Sequence, residues 1–118
     1  MIIAVDVDGT LEVGDPPGPI SVLTLANIAR RKYPSVIIVS DSYQKVWNRV
    51  DMLGYMIPVC AITGGKAERL KAIRREYPME DRYIMVGDSP DDAEAAREAG
   101  YEYMTPQQFK EFLESGVV

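Results

Sequence analysis

Residues 1–14 read MIIAVDVDGTLEVG, and the fold turns on how the aliphatic run Ile2–Val5 passes into Asp6, Asp8, Gly9 and Thr10. A strand alternates its faces with period two, so Asp6 and Asp8 start on the same side. Two like charges set together at a strand end repel, and something positive has to compensate them. A bound cation is the first candidate, with its other ligands expected from elsewhere in the chain.

Working outward, Ile2–Val7 reads as a buried strand, Ser35–Val39 (SVIIV) as a second and Ile57–Ile62 (IPVCAI) as a third, with Pro58 tolerable mainly at an edge or strand beginning. Arg82–Val86 (RYIMV) is the fourth and Tyr101–Met104 the fifth. Continuous apolar runs of this kind suit a parallel sheet covered on both faces. Helical patterns lie between them. SVLTLANIARRKY opens with Ser21 as its cap, SYQKVWNRVDMLG ends at Gly54, and KAERLKAIRREY is strongly helix-forming. SPDDAEAAREAG carries acids in its first turn and closes on Gly100, and PQQFKEFLESG follows. Strand and helix alternate five times, which predicts an α/β, three-layer, doubly wound parallel sheet of five strands, Rossmann-like in form. With no linker, repeat or low-complexity tract, residues 1–118 are expected to form a single domain.

Composition bounds the chemistry. The chain holds 118 residues, 47% hydrophobic and 26% charged, as in an ordinary soluble globular domain. No apolar run approaches the ~18 residues of a membrane span, and MIIAV followed at once by aspartates does not read as a signal peptide. The lone Cys60 cannot form an intrachain disulfide and suits a reducing cytoplasm. Histidine is absent, which removes His general bases, Ser-His-Asp triads and His zinc sites. A net charge of −5 argues against a nucleic-acid partner, because phosphate backbones reward clustered Lys and Arg.

In open parallel sheets, ligands bind beyond the carboxyl ends of the strands. Those ends supply Asp6, Asp8, Gly9 and Thr10, then Ser40, Asp41 and Ser42, then Thr63 to Lys66, and finally Gly87 to Asp92. Hard oxygen ligands near a phosphoryl group recruit Mg²⁺, which needs only one or two carboxylates, here Asp6 and Asp88 first. Ser40 can donate to a phosphate oxygen, and Lys66 can neutralise phosphate and nucleophile together. Thr10 and Asp41 complete the candidate phosphate-binding set with Ser40 and Lys66. A carboxylate can attack phosphorus directly, while a second, Asp8, protonates the leaving oxygen and then deprotonates water. The plain alternatives are an acidic first helical turn for Asp88–Asp92, a simple helix cap for Ser40 and a solvated lysine for Lys66. Arg69 and Lys71 are the substitutes for Lys66, both deeper in the helix. Tyr43, Trp47 and Tyr55 read as packing, and Cys60 as a small core residue.

DVDGTL, then Ser40 after a strand, then Lys66, then GDSPDD, resembles the haloacid dehalogenase-like hydrolase superfamily, whose four motifs stand here in order from Met1 to Met104. The resemblance implies Asp6 as nucleophile, Asp8 as general acid/base, and Ser40 and Lys66 as phosphate contacts. It also implies Mg²⁺ held by the Asp6 carboxylate, the Asp8 backbone carbonyl and Asp88. Asp92 aligns with the second motif acid, assisting the metal shell or orienting the lysine, and Asp91 is a neighbour that could share this role. An acid at Asp8 resembles the phosphatases and phosphotransferases rather than the dehalogenases.

The expected activity is therefore Mg²⁺-dependent hydrolysis of a phosphorylated small molecule or protein. One rival is a receiver-like phosphoacceptor domain, which needs an Asp where this chain has Ala61, Ile62 and Thr63. Another is a catalytically silent binding or regulatory module. Relatives commonly carry a cap domain, and neither interval here has room for one. Cover for the site is then expected from the Glu12–Pro19 loop (EVGDPPGP), from a neighbouring subunit in a homo-oligomer, or from a large substrate.

Overall fold

The computed structural model describes residues 1–41, 57–60 and 64–116. Its centre is β1 (Ile2–Val5), which pairs in parallel with β2 (Val36–Ile38) on one side and β3 (Tyr83–Val86) on the other. β4 (Glu102–Met104) extends the sheet beyond β3, giving the order β2-β1-β3-β4. Four helices accompany these strands among the described residues: α1 (Val22–Ala29), α2 (Lys66–Glu76), α3 (Pro90–Ala99) and α4 (Pro106–Glu114).

The sheet described has four strands where five were expected. Of the expected third strand, Ile57–Ile62, the described residues show a single parallel bridge, Val59 against Ile38. Ile38 N–H donates to the Pro58 carbonyl and Cys60 N–H to the Ile38 carbonyl, both at 2.9 Å. Pro58 offers a carbonyl but no N–H, so pairing begins there, on the outer edge of β2. The helix expected over Ser42–Gly54, together with Tyr43, Trp47, Tyr55 and Thr63, lies outside the described residues. Between β1 and α1 the chain makes one loop closed by a bridge between Leu11 and Ile20.

Local chemistry sets the helix ends. Ser21 accepts from Thr24 N–H at 3.1 Å and starts α1. Ser89 and Asp92 form a reciprocal capping box with Pro90 in the first turn, and Thr105 with Gln108 repeats the device ahead of Pro106. Gly100 ends α3 in the left-handed region. Among the described residues, no helix is long and apolar enough to cross a membrane.

The strand period then divides the core in two. Ile3, Val5 and Val7 pack with Leu25 of α1 and Phe109 of α4. Ile2 and Ala4 pack with Leu70 and Ile73 of α2 and Ala95 and Ala96 of α3. Each buried Ile, Val or Leu contributes roughly 1.5–3 kcal/mol of transfer free energy. Asp6 continues the even series, so the alternation that builds the core also aims Asp6 at the α2–α3 side.

Phe109 is fully buried and joins α4 to the core shared by β1, β2 and α1. Phe109→Ala should cost about 3–5 kcal/mol in urea unfolding. A loss below about 1 kcal/mol would mean that α4 contributes little to that core.

Candidate active site

β1 leads through α1 to β2 on one side, whereas β3 leads through α3 to β4 on the other, so the chain reverses its winding between β1 and β3. A crevice opens at the carboxyl ends of two such strands. Val5 stands opposite Val86 in register, and Asp6 N–H donates to the Val86 carbonyl at 3.0 Å. Asp6 and the Gly87–Asp88 turn are thereby brought to one place. A cleft of about 540 Å³ lies there, lined by Asp6, Asp8, Ser40, Lys66 and Asp88 among others.

Lys66 is the first residue of α2, directly after the helix cap Gly65. Its Nζ stands 3.2 Å from Asp6 Oδ1 and also pairs with Asp92 Oδ1. Asp92 is fully buried, and its other oxygen accepts from Ser89 N–H at 3.3 Å. The capping box of α3 thus fixes the carboxylate that holds the lysine. Two glycines make room for this crowding. A Cβ on Gly9 would stand 1.8 Å from Asp88 Oδ2, and Gly9 has φ +75°. A Cβ on Gly87 would stand 2.2 Å from Asp92 Oδ2. Behind the turn, Tyr103 O–H donates to the Gly87 carbonyl at 2.6 Å.

Electrostatics follow from burial. Asp6 is 7% exposed, and loss of hydration pushes its carboxyl above the usual aspartate value. The Lys66 charge pulls it back, and the Asp92 charge adds to the rise. For Lys66, burial alone would lower the value, but the hydrogen bond to Asp92 and the charges of Asp6 and Asp92 outweigh it. The ammonium is held above its ordinary value and stays charged at neutral pH. Lys66 is thus a fixed positive charge here and no proton acceptor.

Asp6, Asp88 and Asp92 each present a carboxylate oxygen within 4.8 Å of the others. Three carboxylates face one ammonium, so the cluster is net negative when ionised, and a hard divalent cation fits both the oxygen donors and the missing charge. Asp88 is exposed and gives such an ion access, whereas Asp92 lies behind with oxygens that already serve Lys66 and Ser89. Asp91 is exposed and borders an adjoining hollow that shares Gly65, Lys66 and Ser89 with this cleft, and it does not line the cleft itself.

The remaining expected residues divide. Asp8 lines the cleft, and its Oδ1 accepts from Asp15 N–H at 2.8 Å, which ties it to the Glu12–Pro19 loop. Ser40 is nearly buried at the cleft wall. Asp41 lines the cleft too, but its carboxylate is paired with Arg69. Thr10 is the exception. Its side chain is 0% exposed, because the chain turns at Gly9 and the following loop folds back over it. Gly18 N–H donates to the Leu11 carbonyl at 2.8 Å and Ile20 N–H to the Thr10 carbonyl at 3.1 Å, closing that cover. Thr10 is therefore buried beside the cleft rather than lining it, and its hydroxyl is buried without a hydrogen-bond partner among the described residues. Arg69, named from sequence only as a substitute for Lys66, Ser89 of the fourth strand end and Pro16 of the covering loop also line the cleft, although none was given a role of its own. Ser89 was traceable through the S-x-x-D spacing to Asp92.

A parallel sheet with helices between its strands, and carboxylates and a lysine converging at the strand ends, defines the class by fold, an open α/β domain with its site at the strand ends. The family model for haloacid dehalogenase-like hydrolases matches residues 1–100, and the chain belongs to that family. Comparison with curated proteins and with solved structures gives no match.

The raised Asp6 value has a consequence for stability. In the folded state Asp6 keeps its proton to higher pH than in the unfolded chain, where it titrates near 3.8. Stability therefore falls as pH rises through the window between the two values, and the penalty persists above it. Without divalent ions, Asp6→Asn should be more stable than the parent at pH 7, with the difference closing as pH falls towards 4. Thermal unfolding across that range checks it. A less stable variant at pH 7 would show that the pull of Lys66 outweighs burial.

Proposed function

We propose that the protein is a Mg²⁺-dependent phosphomonoester hydrolase that works through an aspartyl-phosphate at Asp6. The observation that supports this most directly is the Lys66 ammonium 3.2 Å from Asp6 Oδ1, with Asp88 in the same cluster. A carboxylate whose charge an adjacent ammonium partly offsets, lining a cleft of about 540 Å³, is placed to act as a nucleophile.

Asp6, Asp88 and the Asp8 carbonyl would hold Mg²⁺, which supplies positive charge against the phosphoryl oxygens when bound. An Asp6 oxygen attacks phosphorus while Asp8, protonated, gives its proton to the departing ester oxygen. The P–O bond to the alcohol breaks and the Asp6–phosphate bond forms. Asp8 then takes a proton from water, which attacks phosphorus, and the bond to Asp6 breaks to release phosphate. The hydrogen bond from Asp15 N–H aims Asp8, and Lys66 offsets charge throughout. Ser40 and the first-turn amides of α2, which has no side-chain cap, would receive the phosphate oxygens. Asp92 keeps Lys66 in place.

In this reading residues 1–118 act as one domain without a cap, and the substrate is a phosphorylated small molecule or protein. Phosphoryl transfer favours a site closed to water. Pro16 puts the Glu12–Pro19 loop at the rim, and a second copy of the chain or the substrate itself would complete the enclosure.

Turnover of a nitrophenyl phosphate and of an alkyl phosphate with Mg²⁺ tests the roles together. Asp6→Asn should abolish turnover of both. Asp8→Ala should slow release of the alkyl alcohol about 10²–10⁴-fold, the usual worth of general acid help, and slow nitrophenolate release less. Retained turnover in Asp6→Asn would sink the mechanism, and an Asp8→Ala enzyme slowed equally with both esters in the first step would remove the acid role.

A further inference from the structure

Arg69 lines the same cleft as Lys66 but has no part in the chemistry above. It follows Lys66 by three residues on α2, so both side chains rise from one helix face, with Cβ atoms roughly 5–6 Å apart. The side chain is 14% exposed, and Nη2 donates to Asp41 Oδ1 at 2.7 Å. That partner is 91% exposed, and an ion pair to a carboxylate so well hydrated is weak and readily exchanged. The guanidinium fork carries more donors than Asp41 engages, and Nε is buried without an acceptor. Folded proteins rarely leave a buried donor in that state. An under-satisfied cationic fork thus borders the cleft, held by one solvent-facing carboxylate. Lys71, two residues on, cannot substitute, because it borders a separate hollow with Arg74 and Arg75.

We propose that Arg69 determines specificity, selecting phosphomonoesters that carry a second anionic oxygen group, a carboxylate or another phosphate, a few bonds from the phosphorus. The inference rests on the phosphatase reading. The incoming anion displaces Asp41 and pairs with the fork, a geometry that guanidinium matches and ammonium does not. The short spacing follows from Lys66 and Arg69 being neighbours on one helix face. A phosphate on Lys66 and a second anion on Arg69 lie about one helical turn apart.

Binding without turnover tests this. Calorimetry on Asp6→Asn with Mg²⁺ compares phosphoserine with phosphoethanolamine, which lacks only the carboxylate, and 1,3-propanediol bisphosphate with its monophosphate. The doubly anionic ligand should bind about tenfold or more tightly in at least one pair, the scale of one charged hydrogen-bonded contact. The pair that shows the preference identifies the second group as carboxylate or phosphate. Adding Arg69→Met should erase the preference and leave the singly anionic ligand unchanged, and Arg69→Lys should restore only part of it. Equal affinities within both pairs, or an Arg69→Met variant that weakens both ligands alike, overturns the proposal. Turnover of the same four esters by the unmodified protein is read separately. No turnover alongside an intact binding preference would refute the phosphatase and uphold the anion subsite.

Discussion

The crowding of like charge beside β1 is the constraint on which the rest depends. Asp6, Asp88 and Asp92 bring carboxylate oxygens within 4.8 Å of one another, and two of the three residues are buried. Such a cluster stands only if positive charge is built in with it. Lys66 provides that charge, and its position is specified twice, by the start of α2 and by its pairing with Asp92. Asp92 is fixed in turn by the Ser89 cap. Two helices on one face of the sheet therefore meet at a single ammonium, and the contact between those helices and the geometry at Asp6 are one arrangement.

That arrangement costs the fold stability. Burial pushes Asp6 up even with the lysine beside it, so its ionised form is held at a cost to the fold. Gly9 and Gly87 forgo side chains because Asp88 and Asp92 occupy the space a Cβ would need. A cation would relieve the same repulsion, coupling metal binding to stability as any ligand of the native state does.

Much of this was legible in the sequence because parallel strands announce themselves as unbroken apolar runs and their ends carry the polar residues. Asp6, Ser40, Lys66 and Asp88 converge as that rule requires. Other features depend on where the chain goes after a turn. Thr10 follows directly on DxDG, yet a positive φ at Gly9 and the fold-back of the Glu12–Pro19 loop bury it. The choice between Asp91 and Asp92 rests on a capping box, which leaves Asp91 in solvent and turns Asp92 inward. The strand begun by Pro58 amounts to one rung among the described residues, since proline lacks the donor for an earlier one. Arg69 had only its helical spacing from Lys66 to mark it, and the pairing with Asp41 joins segments that no local pattern connects.

The central claim is that Asp6 becomes the phosphorylated residue. Borohydride reduces an acyl phosphate, converting an aspartyl-phosphate to homoserine. Asp8→Ala protein, mixed with Mg²⁺ and nitrophenyl phosphate and quenched into borohydride, should yield a peptide carrying homoserine at position 6. Release of nitrophenolate with no homoserine at position 6, or with homoserine at another aspartate, would contradict the account.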